Sequence, residues 1–279
     1  MMDITILSQN LRSKYKYFAK EFEVLLNQNE LAIILIQDMG NVGPDGPQEL
    51  RQALTPHTII TNTTPTNKAR STGIILHKNW EIVKEQKHES GGLIGVEVKI
   101  ANTSMFVMCA YLPTALDAYG MPESFDSTKE SKTTMAQEEA YAIYSTASEW
   151  AKPHKYWILG GDLNETIEYY DRKKLSEDTY SYHGSGTKFI TNFIKEVQGI
   201  DLWRTFRPYN ENYPDLGHTC FHNKGKSSAR LDYFLISPEL LQCSIKTQML
   251  LGEWYPSASD HVRLTCKVRL SSAFTPPYT

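Results

Sequence analysis

Apolar and polar positions alternate with two periods along this chain, and its opening stretch shows both. Residues 3–10, DITILSQN, alternate and then stop at Asn10, which predicts a strand running into a loop. Residues 14–29, KYKYFAKEFEVLLNQN, place apolar side chains at Tyr17, Phe18, Phe22, Leu25 and Leu26, which is helical spacing. Residues 31–40, LAIILIQDMG, form a short apolar strand that turns polar at Gln37 and Asp38. Strand, helix, strand in this order implies parallel strands joined by a helical crossover. The stretch 43–49, GPDGPQE, predicts a turn, and further strands follow at 72–79, 92–100 and 104–113. Residues 120–134 are polar without a period and predict a long exposed loop; a helix follows over 135–150. KYWILGGDLNE, at 155–165, predicts a buried strand ending in a Gly-Gly turn and an acidic cluster. A helix over 186–198 and strands at 218–223, 229–237 and 261–270 complete the pattern. No repeat or linker divides the chain, so one α/β domain over 1–270 is expected, with 271–279 as a tail or linker.

Composition narrows the chemistry. The 41% hydrophobic and 22% charged residues are ordinary for a soluble globular protein. A formal charge of −3 gives no global pull toward nucleic acid or anionic lipid, so a polyanionic substrate needs a local basic patch or a metal ion. MMDITILSQN is too short and too charged for a signal peptide, and no run approaches the ~18 apolar residues of a membrane span. The expectation is an intracellular protein. Cys109, Cys220, Cys243 and Cys266 contain no CxxC-like pair, so a structural zinc site is not predicted; Cys109 and Cys266 lie in apolar runs and read as buried.

The predicted strands share one property: nearly every one ends at a group able to bind metal or phosphate. The groups are Asn10, Asp38, Tyr111, the pair Asp162 and Asn164, Asp232 within ARLDYFLI, and Asp260 with His261 ahead of the last strand. Taken singly, an Asp after a strand is a turn residue or a helix cap, and a lone His is an ordinary polar residue. As a set, the residues suit phosphate-ester hydrolysis. Carboxylate and amide oxygens match a hard divalent cation, amides donate to phosphoryl oxygens, and a His paired with an Asp keeps a defined tautomer. No Gly-rich phosphate loop is present, which argues against an NTPase.

The segments SQNLRS, LIQDMG, CAYLPT, LGGDLNE, SARLDYFLIS and SASDHV carry a resemblance. In order and spacing they resemble the motifs of the endonuclease/exonuclease/phosphatase superfamily, the fold of deoxyribonuclease I and exonuclease III, from Asn10 to about Arg269. The resemblance implies an α/β fold: a four-layer α/β sandwich of two packed mixed β-sheets flanked by helices. It implies Mg²⁺, with Mn²⁺ as an alternative, held by Asp38, Asn10 and Asp260. It implies Asp162 as the group that orients or deprotonates water, and Asn164 and Tyr111 on the phosphate or leaving group. His261 would contact the phosphate, held by Asp232.

Two departures stand out. Asp38 replaces the family's metal-binding Glu, and Arg12 stands where exonuclease III-type enzymes often place an acidic residue. Residues 183–208 and 218–234 are similar to the region around the DNA-contacting hairpin in endonuclease domains of LINE-type non-LTR retrotransposons. DNA is the partner this implies, with a reverse transcriptase following in a full-length protein and a nuclear location. Arg12, Lys14, Lys224, Lys226 and Arg230 are the candidate DNA or phosphate contacts. For Lys14, in RSKYKYFAK, a solvated helix face is the competing reading; for the tip NKGKSSAR, a solvated turn; for Arg230, a carboxylate partner. An apurinic/apyrimidinic endonuclease, another phosphoesterase of the fold and a weakened DNA-binding module are the competing functions.

Overall fold

The computed structural model describes residues 2–40, 42, 47–64, 70–100, 102–113, 127–175, 177–180, 187–213, 215–222, 227–242, 244–251 and 259–270. The chain opens with β1 (Met2–Asn10), α1 (Tyr15–Gln28), β2 (Ala32–Gln37), α2 (Gln48–Ala53), β3 (Thr58–Thr63) and β4 (Ser71–Leu76). It continues with β5 (Ile82–Lys87), β6 (Leu93–Ile100), β7 (Thr103–Tyr111), α3 (Ser127–Ala151) and β8 (Trp157–Asp162). Next come β9 (Arg172–Lys174), β10 (Thr179–Tyr180), α4 (Thr187–Glu196), β11 (Ile200–Asp201) and α5 (Leu202–Phe206). The last elements are β12 (Cys220–His222), β13 (Ser227–Ala229), β14 (Asp232–Ile236), α6 (Pro238–Gln242), β15 (Ser244–Leu251) and β16 (Leu264–Leu270).

Two six-stranded sheets carry the fold, in the orders β15-β16-β1-β2-β4-β3 and β11-β14-β8-β7-β6-β5. A small sheet, β10-β9-β13-β12, is attached. The expected parallel pair with a helical crossover is β1 and β2, joined through α1. Alternation within each strand shows why the runs read as continuously apolar. On β2, Ile33 and Leu35 enter the core between the large sheets, while Ile34 and Ile36 pack with Phe18, Phe22 and Leu26 of α1. On β8, Ile158 points into the same inter-sheet core, while Trp157 and Leu159 meet Ile143 of α3 and Phe193 of α4. The order is thus helix, sheet, sheet, helix, the four-layer α/β sandwich expected from the motifs.

Several element boundaries differ from the sequence reading. Helix α3 starts at Ser127, so 127–134 is helical rather than loop; the polar stretch STKESKTT has no apolar stripe and gives no periodic signal. The predicted turn at 43–49 overlaps α2, which begins at Gln48; residues 43–46 lie outside the described residues. ARLDYFLIS is not one strand. It is cut at Arg230 and Leu231, with β13 in the small sheet and β14 in the large one. The 271–279 tail lies outside the described residues.

Candidate active site

The inward-facing column of each central strand is apolar along most of its length and turns polar at one end. On β1, Ile4 and Ile6 lead to Ser8 and Asn10; on β2, Ile33 and Leu35 lead to Gln37. In the facing sheet, Ile158 leads to Asp162, Phe234 to Asp232, and Cys109 to Tyr111, each an even number of residues away and so on the same face. Register then aligns them. Tyr111 pairs with Asp162 across β7 and β8, and Asp232 pairs with Asp162 across β14 and β8. Gly161 permits this approach: its φ is +146°, and a Cβ there would stand 2.0 Å from the Ala110 carbonyl oxygen.

Asn10 joins the two sheets. Its Nδ2 donates to Asp162 Oδ2 at 2.8 Å, and its Oδ1 accepts from the Arg12 backbone N at 3.0 Å. Asp162 Oδ1 accepts from the Asn164 backbone N at 3.0 Å. His261 completes a relay: its Nδ1 lies 2.8 Å from Asp232 Oδ2, and its Nε2 lies 3.7 Å from Asp162 Oδ2. Ser259 fixes the His loop, because its Oγ donates to the Asn10 carbonyl at 3.1 Å and accepts from the His261 backbone N at 3.1 Å. Thr219 Oγ1 accepts from the backbone N of Leu231 and Asp232, both at 3.0 Å, and so holds the start of β14. Neither Thr219 nor Ser259, which lies within SASDHV, is distinguished by periodicity in the sequence; their roles come from the backbone groups they hold.

Burial sets the charge states. It raises the Asp162 carboxyl to about 7, with Asp232 adding to the rise and His261, Asn10 and Asn164 opposing it. Burial works against protonation of His261, but Asp232 and Asp162 outweigh it and hold the imidazole well above its ordinary value. Burial also raises the Tyr111 phenol, and the charges of Asp162 and Asp38 push it further, so the phenol stays a neutral donor.

Asp38 sits on a crossing of two loops. Leu11 N donates to Gln37 O and Ser13 N to Asp38 O, each at 2.8 Å, and Asp38 Oδ1 lies 3.5 Å from Ser13 Oγ. Arg12, Ser13 and Asp38 all have positive φ, as does Gly40, where a Cβ would meet Ser13 Oγ at 2.6 Å. Burial raises the Asp38 carboxyl, with Arg12, Ser13, the Gly40 backbone and His261 opposing the rise. Arg12 reaches Asp260, its Nε 3.1 Å from Oδ1. Asp38, Asp162, Asp232 and Asp260 thus crowd around Arg12 and His261, an excess of negative charge and oxygen donors that suits a hard divalent cation.

The other candidate contacts divide. Lys14 precedes the first turn of α1 and is exposed. Lys224 and Lys226 lie outside the described residues. Arg230 is a correction. It is 1% exposed, and its guanidinium binds Asp171 Oδ1 and Oδ2 at 3.0 and 2.9 Å and Asp201 Oδ2 at 2.7 Å. Buried, paired with the buried Asp171 and the half-buried Asp201, and stacked over Tyr233, it joins the small sheet to the large one and is out of reach of a phosphate. Asn164 Nδ2 donates to Leu112 O at 2.8 Å, which anchors the side chain beside β7 and leaves its second amide N–H for a ligand.

No protein-family model matches the sequence, and no curated protein matches it. Solved structures do. A Neisseria 3′ phosphatase, NExo, bound to a product DNA hairpin superposes with a TM-score of 0.70 at 14% identity, covering 96% of this chain and 99% of that one. The AP endonuclease LMAP from Leishmania major gives 0.68 at 13% identity, covering 97% and 89%. The endonuclease domain of TRAS1, a telomere-specific non-LTR retrotransposon, gives 0.61 at 14%, covering 96% and 99%. Over nearly its whole length, this chain therefore has the fold of the endonuclease/exonuclease/phosphatase superfamily.

Proposed function

We propose that this chain is a divalent-metal-dependent phosphodiesterase that nicks DNA, as in the integration of LINE-type elements. The observation that carries the reading is the buried relay Asn10–Asp162–His261–Asp232, assembled from both sheets at the polar end of their shared core. A buried carboxylate beside a buried imidazolium has little structural value, since apolar packing would serve stability as well. It has a clear chemical value.

Asp162 is held by Asn10 and the Asn164 backbone with Oδ2 facing His261, so it is placed to orient a water molecule and accept its proton. His261, kept protonated by Asp232, is placed to donate from Nε2 to a phosphoryl oxygen as negative charge accumulates there. Tyr111 and the free amide N–H of Asn164 supply neutral donors on the same side. Asp38, Asn10 and Asp260 would hold the metal ion; when bound, Mg²⁺ or Mn²⁺ neutralises the phosphate and stabilises the leaving oxygen.

The LINE-type assignment draws on the hairpin-like segments and on the full-length likeness to the TRAS1 domain. Under it, a reverse transcriptase partner and a nuclear location follow. The likeness to LMAP favours a second reading, an apurinic-site endonuclease. Plasmid nicking separates the two. Supercoiled DNA and a duplex with one abasic site are incubated with the protein in Mg²⁺, in Mn²⁺ and in EDTA, beside His261→Ala. Metal-dependent nicking of intact plasmid, lost in the variant, supports the proposal. Cleavage confined to the abasic duplex selects the repair reading, and cleavage of neither refutes both.

A further inference from the structure

A second set of metal-binding side chains abuts His261. β12 pairs through its backbone with residues 260–262: Phe221 N donates to Asp260 O at 2.8 Å, Val262 N donates to Thr219 O at 2.7 Å, and Cys220 bridges His261. Cys220 and His222 are two residues apart on β12 and share a face. The pairing brings that face to Asp260. Cys220 Sγ lies 3.7 Å from His222 Nδ1, which lies 3.7 Å from Asp260 Oδ2, and the donor atoms of all three residues lie within 4.8 Å of one another. A tetrahedral zinc ion, with bonds of about 2.3 Å to sulfur and about 2.0–2.1 Å to nitrogen or oxygen, holds its donors roughly 3.4–3.6 Å apart. Two of the three pairs already stand near that spacing, and the third lies within 4.8 Å.

Thiol, imidazole and carboxylate together favour a borderline-soft ion over Mg²⁺. The site has an entry route, because Cys220 is buried while the His222 side chain is 37% exposed. Asp260 Oδ1 is buried without a hydrogen-bond partner, although Arg12 Nε stands 3.1 Å away. Its carboxylate can therefore turn to an ion without giving up a hydrogen bond.

We propose that Cys220, His222 and Asp260 form an inhibitory site for a zinc-class ion, which shares Asp260 with the proposed Mg²⁺ site. Three protein ligands leave the fourth position to water. An ion there draws Asp260 from Arg12 and lies against His261, whose Nε2 is 3.9 Å from Asp260 Oδ1. The inhibitory effect rests on the role proposed above for His261; the binding itself does not.

The test uses the full chain and Co²⁺ as a spectroscopic stand-in for Zn²⁺. The expected result is a thiolate-to-cobalt charge-transfer band, lost in Cys220→Ser and requiring roughly a hundredfold more Co²⁺ in His222→Asn. Low Zn²⁺ in excess Mg²⁺ is expected to stop wild-type nicking, while His222→Asn nicks at the wild-type rate in Mg²⁺ and resists Zn²⁺. Absence of the band, or its persistence in Cys220→Ser, overturns the site. A band with Zn²⁺-insensitive nicking overturns the inhibition. A band without any Mg²⁺-dependent nicking refutes the nuclease reading and leaves the ion site standing.

Discussion

Asp232→Asn tests the relay most directly, because it removes one charge and keeps the shape. Asp232 Oδ2 and His261 Nδ1 are 2.8 Å apart and both side chains are 3% exposed. Coulomb's law at an effective dielectric of about 20 gives ~6 kcal/mol at that distance, an upper limit. Asn keeps an oxygen that accepts from Nδ1, so the loss is the difference between a charge-assisted and a neutral hydrogen bond, about 1–2 kcal/mol. Asp232 is the largest favourable influence on the His261 imidazolium, so the His261 pKa is expected to fall. Asp232 also raises Asp162, so its neutralisation lets Asp162 ionise at lower pH.

Both limbs of the pH–rate profile should therefore move to lower pH, with kcat falling roughly fivefold to thirtyfold and DNA affinity nearly unchanged. The assay is steady-state nicking across pH, with His261 titrated by NMR. An unmoved His261 titration, or equal losses in kcat and affinity, refutes the positioning role of Asp232.

Further outcomes are expected from the same structure. Asp162→Asn should abolish nicking while its thermal midpoint holds or rises, since it relieves a carboxylate that burial disfavours; retained nicking would remove Asp162 from the chemistry. Arg230→Met should cost about 3 kcal/mol in denaturant unfolding, because the buried Asp171 keeps only Arg204 and the half-buried Asp201 loses its cation; a loss of DNA affinity with unchanged stability would reinstate a phosphate role. Asp38→Glu installs the residue expected from the motif resemblance but places a longer side chain at φ +51°, so nicking should persist while stability drops by up to about 1 kcal/mol. His218 is held below its ordinary pKa by burial, between Ser228 Oγ and Tyr170 O. The folded state resists its protonation, so stability should fall as pH drops below the unfolded value of about 6.5, and His218→Gln should flatten that fall in thermal melts.

How much of this was legible in the sequence depends on whether the signal was periodic. The column Ile158–Gly160–Asp162 can be counted along the chain, and so can Cys109–Tyr111 and Phe234–Asp232; strict alternation then places all three terminal groups in the inter-sheet core. The resemblance supplied their order, and the register supplied their alignment. A carboxylate partner for Arg230 was one of two readings, but the choice and the identities were not legible, because Asp171 and Asp201 come from segments whose approach depends on how the small sheet docks. The same holds for Cys220 and His222. Their spacing shows a shared face, but only the pairing of β12 with residues 260–262 brings that face to Asp260. What alternation cannot encode is contact between strands that are distant in sequence, and such contacts, β13 with β9 and β12 with His261, place the small sheet at the site. That sheet is where the structure adds most to the chemistry, since it supplies the Thr219 hydroxyl that holds Asp232 and the thiol that lies against His261.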